Sequence, residues 1–156
     1  MHHGLVFRTA YRITGNAGDA EDVLQTVFLR LLGRDRNADA LENPESYLRR
    51  AAVNAALDVI RSRQAAQTVP LPEEPSGLTQ TGPGQDNIGL RDALTRAMGK
   101  LKPRPAEIFV LRFLEGLSNR QIAQTLGISQ VLVAVIVHRT RQQLRKELRP
   151  YLGDRS

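Results

Sequence analysis

The sequence has no cysteine and no tryptophan. Without cysteine there is no disulfide scaffold, no thiolate zinc site and no cysteine nucleophile. Aromatics are scarce, with three Tyr and four Phe in 156 residues, so a large core centred on bulky rings is excluded. The longest apolar run, Val131 to Val137, holds seven residues, far short of the ~20 that a membrane-spanning helix requires. Membrane insertion is therefore not expected. The opening Met1-His2-His3-Gly4 lacks the charged start and apolar stretch of a secretory signal. No Ser/His/Asp set, phosphate-cradling glycine loop or pocketed carboxylate pair is present, so no residues stand out to carry an enzyme. No metal site and no cofactor are expected, because His2 and His3 fall at a terminus where fraying is expected. A soluble, cytoplasmic, basic protein is the expectation.

Charge is present in quantity, and unevenly. The formal net charge is +6. Residues 1–63 carry nine Arg against eight acids, residues 64–88 carry three acids and no Lys or Arg, and residues 89–156 carry thirteen bases against five acids. The middle stretch also holds Pro70, Pro72, Pro75, Gly77, Pro83 and Gly84. That composition buries too little apolar surface to offset chain entropy, so it reads as a flexible linker. The expected architecture is all-α: two small helical domains, 1–63 and 89–156, joined by a linker over 64–88. The second domain carries the positive field, which favours a polyanionic partner.

Apolar spacing predicts the helices. Leu5 to Thr14 forms one, closed by Gly15-Asn16. Between Gly18 and Gly33, Asp19 is placed to cap a helix whose rows Val23, Val27, Leu31 and Leu24, Phe28, Leu32 form a broad apolar face. Asn43 caps the next helix, with Pro44 at its first position; Leu48, Ala52, Ala56, Val59 and Ile60 face inward, and it ends near Arg63. In the second half, Leu90, Leu94, Ala97 and Leu101 mark one helix, and another runs from Pro105 to near Gly116. Ser118 to Leu126 and Ser129 to about Leu148 complete the set.

The most specific local pattern is Leu117-Ser118-Asn119-Arg120-Gln121-Ile122-Ala123-Gln124-Thr125-Leu126-Gly127-Ile128-Ser129. Ser118 caps a short helix, small Ala123 admits a close crossing, Gly127 suits a left-handed turn and Ser129 caps the second helix. This is the grammar of a helix-turn-helix, whose second helix enters the major groove; the plainer alternative is an antiparallel helical hairpin. The second helix opens on Val131-Leu132-Val133-Ala134-Val135-Ile136-Val137. Burial is expected for Val133, Val137, Thr140 and Leu144, which leaves Leu132, Ala134, Val135 and Ile136 turned wholly or partly outward. Polar reach rests on Gln130, His138, Arg139 and Arg141.

In the first half, Tyr47, Arg50, Asn54, Asp58 and Arg61 recur every three or four residues and form one polar stripe. Tyr beside Arg and Asn suits stacking on, and hydrogen bonding to, single-stranded bases. The alternative is a solvated face in which Asp58 and Arg61 form an i,i+3 ion pair.

These residues resemble a known family, the bacterial RNA polymerase sigma factors of the extracytoplasmic-function (ECF) type. Asp19 to Leu31 looks like the family's second region, and Pro44-Glu45-Ser46-Tyr47-Leu48 through Asn54 to Arg61 looks like its promoter-melting part. Leu101 to Leu148 resembles its fourth region. The resemblance implies two partners, core RNA polymerase and promoter DNA. It implies polymerase docking through Asp22, Gln25 and Arg30, with Phe28 in the core. It implies contact with the −10 element through Tyr47, Arg50, Asn54, Asp58, Arg61 and Arg63. It implies contact with the −35 element through Arg120, Ser129, Gln130, His138, Arg139 and Arg141. The chain departs from the family at Val131-Leu132, Ala134, Val135 and Ile136, where Gly-Thr and then basic or small polar residues are usual.

The function expected is a transcription initiation factor that binds core polymerase, directs promoter recognition and melting, and performs no chemistry itself. The alternatives are a stand-alone dimeric helix-turn-helix regulator and a sigma-derived interaction module. In the latter the 131–137 stripe meets an anti-sigma protein or a second copy of the chain, since contiguous apolar patches mark contact sites.

Overall fold

A computed structural model describes residues 2–33, 43–67 and 85–151. The chain order is α1 (His3–Thr14), α2 (Ala17–Gly33), α3 (Pro44–Gln67), α4 (Gln85–Lys100), α5 (Pro103–Phe113), α6 (Asn119–Leu126) and α7 (Gln130–Leu148), followed by a 3-10 turn at Arg149–Tyr151. No strand occurs among the described residues. The all-α expectation is met, with every anticipated helix in place.

Local chemistry explains most boundaries. Asn43 caps α3 as expected, its Oδ1 accepting from the Ser46 N–H at 3.1 Å. α1 ends on Gly15 at φ 69°, whose N–H donates to the Tyr11 carbonyl. Three expectations need correcting. His3 is not frayed: it opens α1, and its ring stacks on Phe28 with centroids 4.9 Å apart. The cap of α2 is not Asp19 but Asn16, whose Oδ1 accepts from the Asp19 N–H at 2.9 Å. The helix thus starts a turn earlier, and Asp19 becomes a buried carboxylate paired with Arg63. The apolar face of α2 is also narrower than its sequence suggests. Val23 and Val27 are buried and Leu31 packs on the core, but Leu32, a further third of a turn round, is 80% exposed.

α1, α2 and α3 pack together through Val6, Ala10 and Ile13, Val23 and Val27, and Leu48, Ala52 and Ala56. α3 then continues one turn past Arg63. Gln64 Nε2 donates to the Arg96 carbonyl of α4 at 2.8 Å, and Gly99 lets α4 approach there, since a Cβ at that position would overlap the Gln64 amide. Residues 64–67 therefore belong to α3 and 85–88 to α4, while 68–84, the rest of the expected linker, lie outside the described residues. The two helical bodies touch in this arrangement. The buried cluster runs without a break from Val53, Leu57 and Ile60 into Met98, Leu101, Ile108 and Leu111.

Leu57 is 1% exposed in this shared core. Leu57→Ala is expected to cost about 3 kcal/mol in a urea melt, the sum of lost transfer energy and an incompletely collapsed cavity. A cost below about 1 kcal/mol would show that the site relaxes freely.

Candidate nucleic-acid interface

The C-terminal half builds its reading element from two capped helices. The Ser118 hydroxyl accepts from the Gln121 N–H at 3.1 Å, and the Gln121 side chain accepts from the Ser118 N–H at 2.8 Å. This capping box fixes the start of α6. Gly127, at φ 71°, sends its N–H to the Ala123 carbonyl and turns the chain left-handed, a conformation glycine enters without steric cost. Ser129 then caps α7, its hydroxyl accepting from Leu132 N–H at 3.0 Å. The chain bends by 113° between α6 and α7, within the range of a helix-turn-helix and unlike an antiparallel hairpin.

α7 buries Val133, Thr140 and Leu144, with Val137 partly covered, as its spacing predicts. Ile136 packs on the core, whereas Leu132, Ala134 and Val135 face solvent. Gln130, His138 and Arg139 are exposed on α7, Ser129 is exposed at its cap and Arg120 is exposed on α6. Arg141 is exposed too, but its guanidinium lies 5.7 Å from the centre of the Phe113 ring of α5, a cation–π contact that orients it.

The α3 stripe is placed differently. Tyr47, Arg50, Asn54 and Arg61 are half-buried and Asp58 is exposed, along one side of the helix. Arg50 meets Glu107 of α5 through two bonds, Nε to Oε2 at 2.5 Å and Nη2 to Oε1 at 3.1 Å. Asn54 Nδ2 donates to the same carboxylate at 3.3 Å. The Glu107 side chain is 6% exposed. Its hydrogen bond and its charge hold the Arg50 guanidinium above its ordinary pKa, against the opposing effect of burial. Arg61 reaches Asp58 at 3.5 Å and the Leu101 carbonyl at 3.4 Å. Arg63, two residues beyond Arg61 and so on the other side of the helix from the stripe, is occupied by Asp19.

A second acid completes the junction. Glu115, in the turn after α5, has a side chain only 1% exposed. Its Oε1 accepts from Thr9 Oγ1 at 3.0 Å and from Arg49 Nε at 3.1 Å, and Arg12 Nε lies 3.5 Å from Oε2. Every one of these partners comes from the N-terminal half. An open cleft of about 710 Å³ adjoins the junction, lined by Tyr47, Arg49 and Arg50 on one side and Gln121 and Gln124 on the other. Sequence reasoning misses both acids. A signal exists for Glu107, a lone carboxylate inside an apolar run between buried Ala106 and Ile108, because a buried charge needs a partner.

On α2, Asp22, Gln25 and Arg30 are exposed. Leu29 and Leu32, 67% and 80% exposed, share the surface of Asp22 and Gln25 by helical spacing, whereas Arg30 lines a cleft toward α3 with Thr26, Ala55 and Asp58; the apolar pattern assigns Leu32 to the interior and leaves Leu29 unassigned. No group of His, Cys, Asp and Glu able to hold a metal exists among the described residues. No single helix among them is long and apolar enough to cross a membrane.

The fold and this interface define the class: an all-helical protein whose C-terminal half is a helix-turn-helix. Residues 1–66 match the profile of Sigma-70 region 2, and residues 91–144 match that of Sigma-70, region 4. The chain is 32% identical over 145 residues to the RNA polymerase sigma-E factor of Streptomyces coelicolor, covering 92% of this chain and 79% of that protein. It is 35% identical over 152 residues to the ECF RNA polymerase sigma factor SigE of Mycolicibacterium smegmatis, covering 95% of this chain and spanning 59% of that protein's length. The sigma factor RpoE of Bartonella quintana, solved in complex with the anti-sigma factor NepR, shares the fold at a TM-score of 0.53 and 20% identity, over 94% of this chain and 91% of that one. The chain belongs to the ECF RNA polymerase sigma factors, RNA polymerase-binding transcription initiation factors. The family is one of transcription factors and not a known class of enzyme.

Proposed function

We propose that this chain seats on core RNA polymerase in the cytoplasm and directs it to promoters, without chemistry of its own. Residues 1–63 serve the polymerase and the −10 element, residues 89–156 serve the −35 element, and the segment between them sets the reach. The observation that carries this reading is the capped helix-turn-helix in the same chain as a polar, aromatic-bearing stripe on α3. On this reading Asp22, Gln25 and Arg30 of α2 meet the polymerase, and Tyr47, Arg50, Asn54 and Arg61 take the unpaired strand. Arg120, Gln130, His138 and Arg139 hold duplex DNA. Arg63 serves α2 through Asp19 and acts on DNA only once released.

With the two halves joined at Glu107 and Glu115, the chain is then in a closed form. Arg50 and Asn54 cannot grip a strand while they donate to Glu107, so strand capture and the α3–α5 junction compete for the same donors. Opening separates the two grips, and each bound element then raises the effective concentration of the other.

Run-off transcription from a promoter library with core polymerase tests the reading. Initiation that depends on the added chain is the expected result. Retained polymerase binding with no initiation from any template would overturn it.

A further inference from the structure

The outward side of α7 changes character along its length. Its first two turns present Val131, Leu132 and Val135, which are 73%, 42% and 38% exposed, with Ala134 exposed beside them. Farther along, the exposed residues include the cations Arg139, Arg145 and Lys146 beside His138 and Gln142. Helical spacing puts Val131, Val135, Arg139 and Lys146 on the side opposite buried Val133, Thr140 and Leu144. One surface thus runs from apolar to cationic without a break.

The cationic end favours nucleic acid over protein as the occupant. Interface cores between proteins are depleted of charge, and a protein laid over this side would desolvate several cations with no assured partners. Duplex DNA supplies phosphates for those cations. In a helix-turn-helix the first turns of the second helix reach the base edges while basic residues elsewhere hold the backbone.

Apolar side chains read one feature of the major groove, the C5-methyl group of thymine. Set against the donors and acceptors of the other bases, they would strip water from polar edges and return no hydrogen bond. We propose that Val131, Leu132 and Val135 select thymines in the upstream duplex element through their methyl groups, while Arg139, Arg145 and Lys146 hold neighbouring phosphates. This inference rests on the proposed −35 role of the C-terminal half and names what that role selects.

Uracil differs from thymine only by the missing methyl, which isolates the proposed contact. Holoenzyme assembled from the full chain and core polymerase is first used to select active templates from a library randomised upstream of the −10 element. Selected positions should be rich in thymine. Replacing each such thymine with uracil should then lower binding about three- to fourfold per position, the worth of one buried methyl group. The Val131→Ser, Leu132→Ser, Val135→Ser variant, altered only at exposed positions, should bind thymine and uracil duplexes equally.

An upstream preference insensitive to uracil would overturn the inference and leave the −35 role standing. So would a uracil penalty that persists in the serine variant. The absence of any upstream preference would overturn the −35 role and this inference with it. A stable dimer that the serine variant dissolves would overturn it in favour of self-association through the same surface.

Discussion

Glu107→Gln combined with Glu115→Gln is expected to tighten binding of a fluorescent single-stranded 12-mer to the full chain by about tenfold or more. The two acids hold four donors of α1 and α3, Thr9, Arg49, Arg50 and Asn54, and Glu115 also pairs electrostatically with Arg12. A hydrogen bond to a charged group contributes ~1.5–3 kcal/mol, and about 1.4 kcal/mol is a factor of ten in affinity. Glutamine keeps the shape of each side chain but not its charge, and a single amide oxygen cannot serve the two-point contact with Arg50. The closed form therefore weakens, while the buried apolar cluster shared by the two halves is left unaltered. Because the chain has no cysteine, Glu21→Cys and Gln143→Cys provide unique positions for a donor and acceptor dye. Energy transfer between them should fall in the glutamine variant. If transfer falls and the 12-mer binds no better, the α3 stripe is not a strand-binding face.

Leu29→Glu combined with Leu32→Glu is expected to weaken binding to core polymerase by about a hundredfold with the melting temperature unchanged. Both leucines are largely in solvent, so neither change removes core packing. Large apolar side chains left exposed beside Asp22 and Gln25 form the kind of patch that marks a protein contact. Losing two apolar anchors at the centre of such a contact costs about 2–4 kcal/mol together, which gives the stated factor. Fluorescence anisotropy of labelled chain titrated with polymerase reads the affinity, and circular dichroism checks the fold. Unchanged affinity would move the docking surface off this side of α2.

Much of the fold is readable from local patterns. Asn43 and Pro44 announce α3, Ser118 and Gln121 announce α6, and Gly127 with Ser129 announces the turn into α7. In each case the partners lie within a few residues, so the chemistry that forms the structure is written where the structure forms. The inward set of α7 is legible for the same reason, since a helix places residues on its faces by spacing alone. The cap of α2 is ambiguous in the sequence because Asn16 and Asp19 are both good capping residues three positions apart. Only the burial of Asp19 against Arg63 separates their roles.

The junction has no such local record. Arg50 and Glu107 lie 57 residues apart, Arg49 and Glu115 lie 66 apart, and Thr9 and Glu115 lie 106 apart. On α3 an arginine bound for an acid of its own chain carries the same spacing as one bound for a phosphate. Whether a polar stripe is open or covered depends on what packs over it, and the same holds for the leucines at the end of α2. Periodicity and capping thus fix which helices form and which side of each turns inward. The burial of two carboxylates against five partners, and the leucines left in water, arise only when distant helices meet, because pairing and exposure belong to the packed chain and not to any stretch of it.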